Sequence, residues 1–287
     1  MLGTTIHSHY KIIKFLGMGR SGSTYLAENL DLPDRPPCIV KKFQCAEDPA
    51  MADPLVGKLF ESQACILQKV GQHRQVPTLL AKFEEDGSRY LVSEYISGDL
   101  LSQELATGSI WSQTQVFDFL IDSIDILKSI HSFQYIHQDI NPKNIIRRKN
   151  DGRFTLIGFS AVKDLGSVWH QISKHDPRYV NISIGTPGYI PYEQEQNSSQ
   201  FNSDIYAIGV IAIQALTGEF PLLKDTHTHE LKWRDGLKID LRLINIIDKM
   251  VRPDYRNRYR SAAEVLSDLQ AFALTQIPLS KFDSPKD

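Results

Sequence analysis

The run LGMGRSG at positions 16–22 places Gly17, Gly19 and Gly22 in the spacing G-x-G-x-x-G. Where side chains are missing, backbone N–H groups can close over the oxygens of a phosphate. The pattern alone is weak, because a flexible turn between two strands has the same composition. The next residues separate two phosphate-binding designs. A dinucleotide fold opens a helix at the last glycine, whereas here STYLAE continues as a strand, so a glycine-rich hairpin is the better reading. Lys41, in CIVKKF, adds a cation on the third strand; beside Lys42 it would ordinarily read as a solvated face, but the two point to opposite sides of the strand. Further on, YIHQDINPKNIIRR (135–148) brings His137, Asp139 and Asn144 close together. Taken singly, that histidine reads as core packing and that aspartate as a turn residue. Beyond it, TLIGFSAVKDL (155–165) is an apolar strand that runs into Gly158.

These residues need a framework that positions them. The chain has 287 residues, 41% of them apolar, and a formal net charge of −2, enough to bury a large core. The near-neutral balance gives no electrostatic footprint for nucleic acid, and no block of like charges marks a membrane-surface patch. Cys38, Cys45 and Cys65 form no C-x-x-C pair, which favours a reducing cytoplasm over a disulfide framework. The start MLGTTIHSHYKIIKF lacks the basic opening and long apolar core of a signal peptide, and AIGVIAIQAL (207–216) is about half a membrane span, which makes it a buried helix. No repeat or low-complexity tract stands out.

The hydrophobic period changes once along the chain. From Tyr10 to about Tyr95, short β-rich runs dominate (YKIIKFLG, STYLAE, PPCIVKKF, AKFEED, RYLVSEY), broken by turn residues in LDLPDRPP and EDGS. One helical pattern interrupts them, with Leu59, Phe60, Cys65, Ile66 and Val70 as packing positions. After Gly98 the pattern is helical: Val116, Phe117, Leu120, Ile121, Ile124, Leu127 and Ile130 recur at three and four, opened by a capping box of Ser112 and Gln115, a device repeated by Ser261 and Glu264. The expected fold class is α+β and bilobal. It has a small β-rich N-lobe with one main helix (1–95), a larger helical C-lobe (96–276), a tail at 277–287 and a hinge near 93–98.

In this order and spacing the motifs resemble the eukaryotic-type Ser/Thr protein kinases, and GSTYLAENLDLPDRPP, NIIRR, GTPGYIPYEQ and SDIYAIGVIAIQALTG have the flavour of the cyanobacterial ones. The likeness runs from Tyr10 to about Ala273. It implies that the family run H-R-D-L-K-P-x-N is H-Q-D-I-N-P-K-N here, so that His137, Asp139 and Asn144 match. By the same resemblance, Glu193 closes the activation segment and pairs with a buried Arg258, and Asp204 caps the central helix and supports the catalytic loop. Thr186 is a structural hydroxyl near Asp139. The segment GTPGYIPYE points to protein rather than small-molecule substrates.

The resemblance also gives the departures a meaning. Phosphoryl transfer asks the protein for positioning and for metal ions that neutralise charge. The aspartate that opens the family's D-F-G triplet and grips the main metal ion is Gly158 here, followed by Phe159 and Ser160, and a glycine offers no side-chain oxygen. The glutamate that pairs with Lys41 is replaced by Gln63, whose amide can bond the ammonium but not neutralise it. Glu61 is two residues out of phase on the helix. Asn141 stands where the family has a lysine near the γ-phosphate, and Gln138 where it has the arginine that receives an activation-segment phosphate, so phosphates on Ser167, Ser173 or Ser183 lack that acceptor. A loss of about 4 kcal/mol of transition-state stabilisation lowers the rate roughly a thousandfold. From the family's rate of about 1–100 per second, one turnover would then take roughly ten to a thousand seconds.

For the nucleotide the resemblance implies a roof of Leu16 and Thr24, a floor of Ile146, and a hydrogen-bonding edge at Glu94 and Ile96. Ile39 narrows the slot, and Ser93 opens space behind it. ATP, where bound, is expected to be held weakly and without magnesium. Magnesium itself is not expected, Asn144 being the one ligand left. Three readings result: a pseudokinase that acts as a regulatory or scaffolding module, a nucleotide sensor, and a slow phosphotransferase with Asp139 as orienting base and Lys41 on the phosphates. The expected partners are proteins, an active kinase or its substrate.

Overall fold

The structure is a computed structural model that describes residues 1–19, 21–43, 49–106, 108–166, 185–221 and 230–275, without the side chains of 49–55. Cys45, Ser167, Ser173, Ser183 and the tail at 277–287 lie outside these. The chain divides into two compact units. One is Met1–Asp99 with Ile146–Val162; the other is Leu100–Ile145 with the described part of Lys163–Asp287. The sequence-based division at 95/96 therefore needs a correction. Residues 146–162 belong to the first unit, because a strand in them hydrogen-bonds to chain near residue 98.

The first unit is built on a six-stranded antiparallel sheet. Its strands are β1 (Thr5–Ile6), β2 (Tyr10–Gly19), β3 (Gly22–Asn29), β4 (Pro37–Phe43), β5 (Leu79–Glu85) and β6 (Ser88–Glu94), in the order β1-β2-β3-β4-β6-β5. Strand alternation divides the apolar residues between two faces. Ile12, Ala27, Cys38, Val40 and Val92 close one core cluster, to which Tyr10, Phe83 and Tyr90 add stacked rings. Phe43 and Leu91 join a second cluster with Val56, Phe60 and Ala64 of helix α1 (Pro49–Val70). Within α1, Phe60, Ile66 and Val70 are buried and Leu59 packs beside them, but Cys65 is exposed, against expectation. The buried stripe of α1 runs through Gln63 and Ala64 instead, a polar position that an apolar search passes over. A three-stranded sheet of β7 (Gly98–Leu100), β9 (Ile145–Arg148) and β10 (Phe154–Leu156) carries the chain to Gly158.

The second unit is helical. Helix α3 (Gln113–Ser132) follows a short α2 (Leu101–Ala106) and starts at the reciprocal Ser112–Gln115 box. It buries Phe119 and Ile126 as well as most of the expected positions, with Phe117 and Ile121 half-buried. It packs on α5 (Phe201–Thr217) and α7 (Ala262–Thr275), while α6 (Leu241–Met250) lies against both of these. Helix α5 is buried along nearly its whole length, which is why it reads as apolar all round. Among the described residues no helix is long and apolar enough to cross a membrane. A short pair of strands, β8 (Tyr135–Ile136) and β11 (Lys163–Asp164), brackets the loop that holds Asp139, and α4 (Tyr192–Glu195) precedes α5.

Candidate active site

In the first unit, strand register sets the row of residues expected beside a nucleotide's phosphates. Gly17 lies opposite Thr24, Thr24 opposite Lys41, and Ile39 opposite Ser93. Cross-strand partners share a face, so Thr24, Lys41, Ile39 and Ser93 project to one side of the sheet. Gly19 and Gly22 are the last partners of the β2–β3 hairpin. A Cβ on Gly22, at φ +136°, would stand 2.0 Å from the carbonyl oxygen of Lys42, so close strand approach accounts for that glycine. Leu16 is 46% exposed, beside an irregularity in register between Phe15 and Gly17. The N–H of Glu94 donates to the carbonyl of Thr78 at 2.9 Å, so of its backbone groups only the carbonyl can serve as a hydrogen-bonding edge. Ile96 is buried and Ile146 half-buried.

Lys41 is the chemical centre of this unit. Its Nζ donates to Oε1 of Gln63 at 2.8 Å and to Oγ of Ser160 at 2.7 Å, and lies 5.0 Å from the centre of the Phe43 ring. Glu61 does not reach it; that carboxylate pairs with Lys82 at 2.7 Å. Burial with no neutralising carboxylate pulls Lys41 down from 10.5 to about 8. Gln63 is buried, and its Nε2 has no partner among the described residues. Gly158 has φ +83°, in the left-handed region, and Phe159 behind it is buried.

The depressed pKa of Lys41 has a sign in stability. Between about pH 8 and 10.5 the unfolded chain binds the proton that the folded chain has lost, so stability rises with pH across that window, and the full cost of the buried ammonium is present below it. Urea unfolding of the wild type against Lys41→Met should move in favour of the wild type by about 1–2 kcal/mol between pH 7.5 and 10. A constant difference would mean that Lys41 titrates as an ordinary surface lysine.

In the second unit, Asp204 organises the loop from His137 to Asn144. Its buried carboxylate accepts the backbone N–H of His137 at 2.8 Å and of Gln138 at 2.9 Å, and Nε2 of His131 lies 2.9 Å away. The expected capping role is corrected: α5 is capped by Gln200, boxed with Ser203, and Asp204 sits inside the first turn with its carboxylate turned to the loop. Gln138 holds a left-handed φ of +65°. Its side chain donates to Ser199 at 2.7 Å, and its carbonyl accepts from the Gln194 amide.

Asp139 accepts three side-chain donors. Nδ2 of Asn141 reaches Oδ1 at 3.0 Å, Nδ2 of Asn144 reaches Oδ2 at 3.0 Å, and the Thr186 hydroxyl donates to Oδ1 at 2.8 Å. Asn141 also caps the 3-10 turn Pro142–Asn144 by accepting the N–H of Lys143 at 2.9 Å. Thus the residue in the lysine's place binds down onto Asp139 and its own turn. Glu193 and Arg258 form an ion pair at 2.6 Å, with side chains 8% and 0% exposed. Sequence patterns do not reveal Ser199 and Gln194 as partners of Gln138, or Ser160 as a partner of Lys41; neutral hydroxyls and amides at long sequence separation give no pattern to find.

The antiparallel sheet with its helix, and the helical unit with its aspartate loop, define a protein-kinase scaffold of α+β class. The crystal structure of the Mycobacterium tuberculosis PknI kinase domain shares this fold with a TM-score of 0.67 at 19% identity, over 94% of this chain and 98% of that one. A family model for the protein kinase domain matches residues 10–269, and the chain belongs to that family, on the eukaryotic-type Ser/Thr side. It is 35% identical over 286 residues to serine/threonine-protein kinase PknA of Nostoc sp., covering 98% of this chain and 50% of that protein. To serine/threonine-protein kinase B of Synechocystis sp. it is 36% identical over 268 residues, covering 92% and 47%. The chain spans about half the length of these curated relatives.

Proposed function

We propose that this domain is a pseudokinase, a protein-binding regulatory or nucleotide-sensing module of the cytoplasm whose partner is an active kinase or that kinase's substrate. The observation behind this reading is Gly158, a left-handed glycine without a side-chain oxygen at the position where the family grips magnesium. In the second unit, Asp139 has both carboxylate oxygens engaged by Asn141, Asn144 and Thr186, and the Asn144 amide is turned to that carboxylate. The residues present do not fit a magnesium ion. They fit a nucleotide better: Lys41 shares its face of the sheet with Thr24 and Ile39, and a Cβ on Gly17 would meet nothing within 4 Å. When bound, ATP would supply a phosphate chain for the already buried Lys41 to hold, in competition with the Gln63 and Ser160 oxygens that its Nζ now bonds.

Melting of the protein with ATP, with and without magnesium, tests this. A ligand at a hundred times its dissociation constant stabilises by about 2.7 kcal/mol, or roughly 5–10 °C for a chain of this size. At millimolar ATP the expected shift is smaller and the same with or without the metal. A large shift that requires magnesium would overturn the reading. The retention of Asp139, Asn144 and Lys41 favours one alternative, a slow Ser/Thr kinase; it predicts labelling from radioactive ATP that disappears in Asp139→Asn.

A further inference from the structure

Ser160 is exposed, follows the buried Phe159, and places its Oγ 2.7 Å from Nζ of Lys41. A hydroxyl this close to an amine becomes a nucleophile when the amine can take its proton, the arrangement of serine–lysine pairs in acyl-transfer enzymes. An amine with a carboxylate partner would be held as ammonium, and here that partner is an amide. From α1, Lys41 faces Gln63, with Glu61 turned to Lys82; from β3 it faces Thr24, from β6 Leu91, and from the chain after β10 Ser160. None of these groups is charged towards it.

We propose that Ser160 and Lys41 form a nucleophilic pair, with Ser160 as acceptor of a phosphoryl-type group from an activated donor such as a phosphoric anhydride or a fluorophosphonate. In the step, a lone pair of Ser160 Oγ forms the new O–P bond and its proton passes to the free amine of Lys41. The bond from phosphorus to the leaving group breaks, and that group departs with its electron pair, as fluoride when the donor is a fluorophosphonate. As ammonium, Lys41 donates to Oγ; as free amine it accepts from the hydroxyl, so the same 2.7 Å contact serves both states. With Lys41 near 8, about half of it is free amine at pH 8. The pair shares Lys41 with the nucleotide reading, but labelling by a fluorophosphonate needs no nucleotide, so its failure is distinguishable from failure of the pseudokinase reading.

The test treats the whole chain with a fluorophosphonate from pH 6.5 to 9.5 and maps adducts by peptide mass spectrometry. Ser160 should be labelled at least about tenfold faster than Ser132, an exposed serine bonded to a backbone carbonyl, with a rate that climbs through a midpoint near 8. Gln63→Glu supplies the missing carboxylate, raises the lysine pKa, and should lower labelling at pH 8 roughly tenfold while moving the midpoint upward. Lys41→Arg, which keeps the charge and cannot take the proton, should abolish it. Labelling of Ser160 no faster than of Ser132, or a pH profile that Gln63→Glu leaves in place, overturns the proposal.

Discussion

Arg258→Ala should lower stability by about 3–5 kcal/mol, a fall in melting temperature on the order of 10 °C. The guanidinium is fully buried, pairs with Glu193 at 2.6 and 3.2 Å, and also donates to the carbonyls of Arg252 at 2.6 Å and Pro253 at 2.9 Å. It lies 4.7 Å from the centre of the Tyr206 ring. Truncation leaves the Glu193 carboxylate buried with, among the described residues, only the Ser203 hydroxyl, and strips the carbonyls of Arg252, Pro253 and, at 3.4 Å, Asn202 of a donor. A buried pair is poor evidence of net stabilisation, because both charges were desolvated to make it, but removing one partner exposes the whole penalty. Glu193→Leu combined with Arg258→Met should therefore be less damaging than Arg258→Ala alone. Thermal and urea unfolding of wild type and both variants decides this. A loss below about 1 kcal/mol in Arg258→Ala would show that water reaches the site and that the pair is superficial.

The triple variant Gly158→Asp, Gln63→Glu, Asn141→Lys should gain magnesium-dependent self-phosphorylation by roughly a thousandfold over the wild type, the equivalent of about 4 kcal/mol in the transition state. Each change restores one charge. Gln63→Glu would neutralise Lys41, whose present partners are an amide and a hydroxyl. Asn141→Lys would release the amide bonds that tie position 141 to Asp139. Gly158→Asp requires the new side chain to accept a backbone with φ near +83°, a strain of about 1 kcal/mol that aspartate tolerates better than most residues. Gly158→Asp alone should give a magnesium-dependent melting shift with ATP and little transfer. The melting curve comes first, to show that the triple variant is folded. A folded triple variant that still ignores both ATP and magnesium would mean that the slot itself has been lost, with Ile39 as the suspect, and a pure protein-binding module becomes the better account.

The strands and helices are legible because period alone reports them. Alternation in YKIIKFLG and RYLVSEY, and the recurrence from Val116 to Ile130, correspond to β2, β6 and α3 with small shifts at the ends. Cys65 escapes this logic because the buried stripe of α1 passes through a glutamine. Gln63 itself is located by counting back from VGQH, and an amide there can bond Lys41 without neutralising it. The 2.8 Å contact between them has that character.

The sequence by itself determined which charges are present: an aspartate at 139, a lysine at 41, and no acid at 158 or 63. Residue identity settles valence, and no folding can place a carboxylate on a glycine. Only the tertiary structure decided what the remaining groups touch. Ser160 meets Lys41 across 119 positions, and Gln138 meets Ser199 across 61. Asp204 turns its carboxylate to the backbone of His137 and Gln138 instead of capping its own helix. These contacts join neutral or short side chains whose hydrogen bonds have no period along the chain. Strand register and helix packing bring such groups within about 3 Å, and burial then sets the charge state, as it does for Lys41.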